Sequence, residues 1–235
     1  MAARWQGEGN QHQGARPYQE DGWALRTLAN GSVLAVVADG MGGHAGGAVA
    51  SRLVVDAVVR AVEQGRGLAD GLQAANAAVR SGASNKPELD GMGSTLVATI
   101  VADDEVRWIS VGDSPLYLVS AGRLKRLNAD HSMAPQIDAL VARGVMTAEE
   151  GAVHPGRHTL REAVMGQPLG LIDQGSQRLP ADARLLLCSD GVHSLSDADI
   201  AVQSTKPVRS LIAAVLAVGV RHQDNVTIVK LERTP

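Results

Sequence analysis

Glu20-Asp21, Asp39, Asp190 and Asp224 are the residues of this chain whose types and spacing best suit chemistry. The first three positions flank short apolar runs and have Gly22, Gly40 and Gly191 beside them, and Asp224 opens a fourth such run. Glycine has no Cβ, so the backbone at these points can bend sharply or lie close to another group. Strand ends on one side of packed sheets can meet in space although they are distant in sequence. Carboxylates gathered in that way repel one another, and the arrangement is tolerable when cations neutralise it. Oxygen ligands without a His or Cys partner select hard ions, Mg²⁺ or Mn²⁺, over Zn²⁺. Asp-Gly is also a common turn pair, and Asp90-Gly91 is read as nothing more.

The stretch Val33–Ser51 offers a competing chemistry. A buried strand, Val33–Ala38, runs into Gly40-Met41-Gly42-Gly43-His44-Ala45, which satisfies the G-x-G-x-x-A dinucleotide fingerprint before a helix. Asp39 speaks against it, because a carboxylate at the mouth of that turn would repel the pyrophosphate. The acidic partner expected about twenty residues on should end a second strand, whereas Asp56 and Glu63 fall inside a helical pattern. A divalent-metal site is the better account, and a dinucleotide-binding oxidoreductase is kept as the alternative.

The elements that must hold these residues follow from periodicity. Trp23–Leu28 reads as a strand joined to Val33–Ala38 by an Asn30-Gly31 hairpin turn. Helical spacing runs from Ala45 to about Gln64 and again over Leu68–Val79. After a loop at Ser84–Met92 comes a block of consecutive antiparallel strands: Ser94–Val101, Val106–Val111, Leu116–Val119 and Leu124–Leu127. Asn128–Gly170 breaks the pattern with short helices at Ala134–Arg143 and from Thr147, and reads as a mobile flap over the sheet ends. Arg184–Ser189 and Val226–Leu231 are strands, with helices over Asp197–Gln203 and from Pro207 to Val218.

Composition bounds the remaining possibilities. A chain of 235 residues, 45% hydrophobic and 20% charged, can bury a full core and is expected to be one α/β or α+β domain. A net charge of −3 gives no reason to expect nucleic acid or an anionic membrane as partner. Met1–Gly14 is polar and lacks the apolar core of a signal peptide, and Leu211–Val220 is far too short to cross a bilayer. The lone Cys188 continues the apolar run Leu185–Leu187, as expected of a buried thiol in a reducing cytoplasm rather than a nucleophile.

Seven short motifs occur in order: Arg16-x-x-x-Glu20-Asp21, Val36–His44, Gly93-Ser94-Thr95, Val111-Gly112-Asp113-Ser114, Asp130-His131-Ser132, Ser189-Asp190-Gly191 and Asp224-Asn225-Val226-Thr227. Each is weak alone, but the ordered set resembles the metal-dependent, type-2C family of Ser/Thr protein phosphatases in its compact bacterial form. The resemblance implies an α+β fold with a central β-sandwich of two antiparallel sheets flanked by helices, in four layers. It implies one catalytic domain over 1–235, with a flap at about 132–170. Two Mn²⁺ or Mg²⁺ ions would be bridged by Asp39. Asp190 and Asp224 would complete the first ion's shell, and Glu20 with the carbonyl of Gly40 would hold the second. Asp21 would orient water from behind, Asp113 with Asp190 would match a third, weaker ion, and Arg16 would receive phosphate oxygens. A metal-bridging hydroxide would then attack phosphoserine or phosphothreonine directly, without a phosphoenzyme. The implied partners are phosphorylated proteins, including a cognate Ser/Thr kinase and its substrates, and the implied enzyme is a cytoplasmic monomer.

The chain departs from the family pattern in places. Met41 stands where many eukaryotic relatives carry a His able to protonate the leaving group, so no side chain is assigned as general acid. Gln19 replaces a frequent Asn, and Pro115 replaces the frequent Arg after Gly-Asp-Ser. A catalytically impaired relative acting as a binding module would need a broken ligand set, and this set is whole. His44, His131, His154 and His158 are expected in turns or at the surface, and Glu149-Glu150 and Arg123–Arg126 as solvated charges. Trp5, Trp23 and Trp108 are expected to act as core or surface anchors.

Overall fold

The computed structural model describes residues 5–42, 46–84 and 86–234. Strands β1 (Trp5–His12), β12 (Val226–Arg233), β11 (Arg184–Cys188), β8 (Leu116–Ser120) and β9 (Arg123–Arg126) form one five-stranded sheet in that order. A second sheet has the order β10 (Asp173–Arg178), β7 (Glu105–Val111), β6 (Leu96–Ala102), β3 (Val33–Ala38) and β2 (Gly22–Thr27). Every pairing is antiparallel. Two short strands, β4 (Gly40–Met41) and β5 (Gly93–Ser94), make a separate ribbon.

The sheets pack face to face, and a helix pair covers each outer face. Alternation along β3 shows how. Val33, Ala35 and Val37 point into the sandwich against Leu116, Leu185, Leu187 and Val229. Leu34, Val36 and Ala38 point outward beneath α1 (Gly46–Glu63) and α2 (Leu68–Ala83). Both faces of β3 are covered, so all six residues are buried and apolar. The other sheet repeats the logic. Leu185 and Leu187 face inward, while Leu186 and Cys188 meet Ile200 of α5 (Asp197–Gln203) and Leu211, Ile212 and Val215 of α6 (Val208–Ala217). The result is the four-layer α-β-β-α sandwich that the resemblance implied.

Register, not loop length, gathers the motif residues. Gly22 pairs with Ala38, which places the start of β2 beside the end of β3. Leu96 pairs with Val111 and Cys188 with Ile228, so β6 and β12 begin where β7 and β11 end. Asp21, Asp39, Thr95, Gly112, Ser189 and Asn225 therefore all leave the sandwich at one rim. The insert between β9 and β10, with α3 (Ala134–Ala142) and α4 (Ala148–Ala152), bridges back to this rim through Ser94 and Val164.

The strands β1 and β10, and the two-residue β4, differ from the sequence reading. β1 and β10 are edge strands rich in Gly, Gln and charged residues, each paired on one side only. β9 also lies one residue earlier than expected, over Arg123–Arg126.

Candidate metal centre and active site

The tip of β3 is tied down before any ligand is considered. Thr95 Oγ1 accepts a hydrogen bond from the Asp39 N–H at 2.9 Å, and the Asp39 carbonyl accepts from Thr95 N at 2.8 Å and from Ser94 Oγ at 2.9 Å. Gly93-Ser94-Thr95 thus acts as a clamp on the Asp39 backbone. Beyond Asp39, a Cβ at position 40 would collide with the carbonyl oxygens of Gly47 and Glu20, so only glycine lets these three segments meet.

Asn225, itself buried, fixes the N-terminal arm. Its Oδ1 accepts from Glu20 N at 2.7 Å, and its Nδ2 donates to the carbonyls of Gln13 at 2.7 Å and Tyr18 at 3.0 Å. Asp21 lies behind the rim, where its Oδ2 accepts from Ser189 Oγ at 2.8 Å and Thr227 Oγ1 at 2.7 Å. Sequence reasoning quoted Ser189, Asn225 and Thr227 as motif letters without giving them work. Their role is to fix Glu20 and Asp21, and the only signal for it was their place beside Asp190 and Asp224.

The rim encloses a cavity of about 460 Å³ whose wall includes Glu20, Asp39, Asp113, Asp190 and Asp224, with Arg16, Gly40 and His158. Five of the expected acidic residues therefore meet at one place. Asp21 does not line this cavity; it lines a smaller one behind it. Arg16 Nη2 donates to Asp224 Oδ2 at 2.5 Å, and this contact raises the guanidinium pKa.

The electrostatics are those of negative charge short of counter-charge. Burial, and then the charges of Asp21, Asp190, Asp113 and Asp224, push Asp39 well above the usual carboxylate range. Burial and then Asp224 raise Asp190. Asp113 is pushed up to about 7 by burial and then by Asp190 and Asp130. Asp21 is likewise raised to about 7, with burial the largest cause. Buried oxygens Asp190 Oδ1 and Asp21 Oδ1 accept no hydrogen bond. Among the described residues, no three such side chains already close into a finished cage, as expected of carboxylates that repel one another. Converging carboxylates with unsatisfied buried oxygens fit hard divalent cations.

The remaining expectations divide. His44 lies outside the described residues. His131 is not at the surface: it is buried, and its Nδ1 accepts from Gly112 N at 3.2 Å. His154 sits in a turn, accepting from Gly156 N, and His158 reaches the cavity wall. Glu150 is exposed and caps α4 through Thr147. Arg126 is no solvated charge, since its side chain is 23% exposed and bonded to Asp113, Asn128 and Asp130. Trp5 is buried, and Trp23 and Trp108 pack at the edge of the sandwich core.

A family model described as protein phosphatase 2C matches residues 8–224. The chain belongs to the protein phosphatase 2C family. Among named members, the Ser/Thr protein phosphatase PstP of Mycobacterium tuberculosis is 34% identical over 209 residues, 85% of this chain but 40% of PstP. This phosphatase 2C chain thus spans well under half of that relative. The Ser/Thr phosphatase stp of Listeria welshimeri is 30% identical over 233 residues, covering 93% of this chain and 91% of stp. The catalytic domain of a PstP solved with two manganese ions superposes with a TM-score of 0.80 at 28% identity, over 99% of this chain and 100% of that one. The four-layer sandwich of this phosphatase 2C chain is therefore the fold of its family.

Proposed function

We propose that this chain is a metal-dependent protein phosphatase that hydrolyses phosphoserine and phosphothreonine. Family membership supports the reaction class, and the observation that carries it to this chain is the meeting of Glu20, Asp39, Asp113, Asp190 and Asp224 with Arg16 around one cavity. Divalent cations bound there would acidify water and neutralise the phosphoryl oxygens.

The chain's own residues then have defined tasks. Asp39, half-buried in the cavity wall at the tip of β3, would bridge two ions. Asp190 and Asp224 would complete the shell of one, and Glu20 and the Gly40 carbonyl that of the other. Asp113, with Asp190, would hold a third and weaker ion. Asp21 accepts hydrogen bonds through one oxygen and keeps the other available to orient water from behind. Arg16 is half exposed, so it can leave Asp224 and present its planar fork to the phosphate. Cys188, wholly buried with its pKa raised, is no nucleophile.

The 235 residues act as one catalytic unit, with 132–170 as a flap. Substrates are phosphorylated proteins, among them a Ser/Thr kinase and its targets. The protein works as a cytoplasmic monomer on Mn²⁺ or Mg²⁺. No helix among the described residues is long and apolar enough to cross a membrane. Phosphate release from a phosphothreonine peptide, measured with Mn²⁺, without it and with chelator, tests the proposal. Release should require Mn²⁺ and stop on chelation; turnover indifferent to chelator would overturn it.

A further inference from the structure

The loop Gly112–Pro115 carries Asp113 into the cavity, with Ser114 Oγ bonded to Thr95 Oγ1 at 2.7 Å and the Pro115 carbonyl accepting from Cys188 N at 3.0 Å. Pro115 brings neither a side-chain donor nor a backbone N–H. Further donors to its backbone come from the segment that follows β8. Arg126 Nη2 donates to the Asp113 carbonyl at 2.7 Å, Nη1 to Asp130 Oδ2 at 3.0 Å, and Nε to Asn128 Oδ1 at 3.3 Å. Asn128 accepts from Leu116 N at 2.8 Å and donates to the Ser114 carbonyl at 2.9 Å. His131 N donates to the Gly112 carbonyl at 3.1 Å, and its ring accepts from Gly112 N. Gly112 itself takes φ +98°, a conformation that favours glycine.

We propose that Arg126 is a positioning residue for Asp113, supplying from β9 a fork of donors to the loop that carries it. Holding the Asp113 carbonyl on one arm and the Asp130 carboxylate on the other fixes the backbone from which the Asp113 side chain projects. That side chain is left facing Asp190 across the cavity. The fork geometry matters, because one ammonium cannot serve two acceptors in separate directions as the planar guanidinium does. This inference deepens the metal-centre proposal and rests on it, since the direction of Asp113 matters only if that carboxylate shares in holding a cation.

The test is Mn²⁺ binding followed by titration calorimetry on the whole chain, comparing wild type with Arg126→Ala, Arg126→Lys, Asp113→Asn and the double variant Arg126→Ala/Asp113→Asn. Arg126→Ala and Asp113→Asn should weaken the same, weakest binding step by about 10- to 100-fold, with the tighter steps within about twofold. Arg126→Lys should fall between wild type and Arg126→Ala. The double variant should be no worse than Asp113→Asn alone, because both changes remove one ligand. Should Arg126→Ala fail to fold by circular dichroism, Arg126→Lys and its double with Asp113→Asn carry the same comparison. Equal weakening of every step, effects that add in the double variant, or a wild type with no step sensitive to Asp113→Asn would each overturn the inference. Phosphopeptide hydrolysis is read separately, so a chain that binds Mn²⁺ in this pattern but releases no phosphate would sink the phosphatase proposal alone.

Discussion

Asp39 lines the cavity at the tip of β3, half-buried, and its backbone is held by Ser94 and Thr95. Its carboxylate can be removed without disturbing that clamp. Asp39→Asn should therefore keep the wild-type circular dichroism while metal-dependent turnover falls by about 1,000-fold or more, the upper range for loss of one charge-stabilising group. Asp113 and Asp21 allow a different test. Their pKa values rise from 3.8 unfolded to about 7 folded. A raised folded value means that the native state holds protons more tightly than the unfolded chain. The stability from these groups is thus complete below about pH 4 and is lost as pH rises through about 7. Metal-free protein should show a falling melting temperature across that window, and Asp113→Asn, which has no proton to lose there, should show a shallower fall. Mn²⁺ affinity should move oppositely and strengthen with pH, because the cation must displace those protons.

At the scale of elements, the interior strands and the edge strands β2 and β9 declared themselves, and the edge strands β1 and β10 did not. β3 and β11 are apolar on both faces because helices cover one side and a sheet the other, so their runs stood out in the sequence. β1 and β10 pair on one side only and carry Gly, Gln and charged residues that water can solvate, so neither shows an apolar period. The acidic residues were legible from their places at strand tips, but the polar scaffold behind them was not. Nothing local in the sequence says that Asn225 holds Glu20, or that Arg126 reaches Asp113, because both contacts depend on register between distant strands. Asn225 carries the sharper consequence. Asn225→Ala would strand the Glu20 N–H and the carbonyls of Gln13 and Tyr18. A loss of about 1–3 kcal/mol in urea unfolding is expected, chiefly from the Glu20 N–H left unmet, since Gln13 and Tyr18 are exposed and water can reach their carbonyls, with weaker Mn²⁺ binding.

For the whole molecule, the antiparallel sandwich is a device for collecting charge. Strand starts and strand ends alternate along one rim, and the two cores behind that rim hold the backbone firmly enough for carboxylates to be forced together. A fold so arranged should gain stability when the charge is neutralised. Mn²⁺ at 100 times its dissociation constant should stabilise the native state by about 2.7 kcal/mol per site, seen as a rise in melting temperature that chelator reverses and that Asp39→Asn largely loses. Asp39, Asp190, Asp224 and Glu20 are proposed to hold a pair of hard cations at this rim. Anomalous diffraction at the manganese edge, from crystals grown with Mn²⁺, addresses it directly. Two peaks bridged by Asp39, one beside Asp190 and Asp224 and the other beside Glu20 and the Gly40 carbonyl, are predicted; a map with no peak in the cavity would contradict the account.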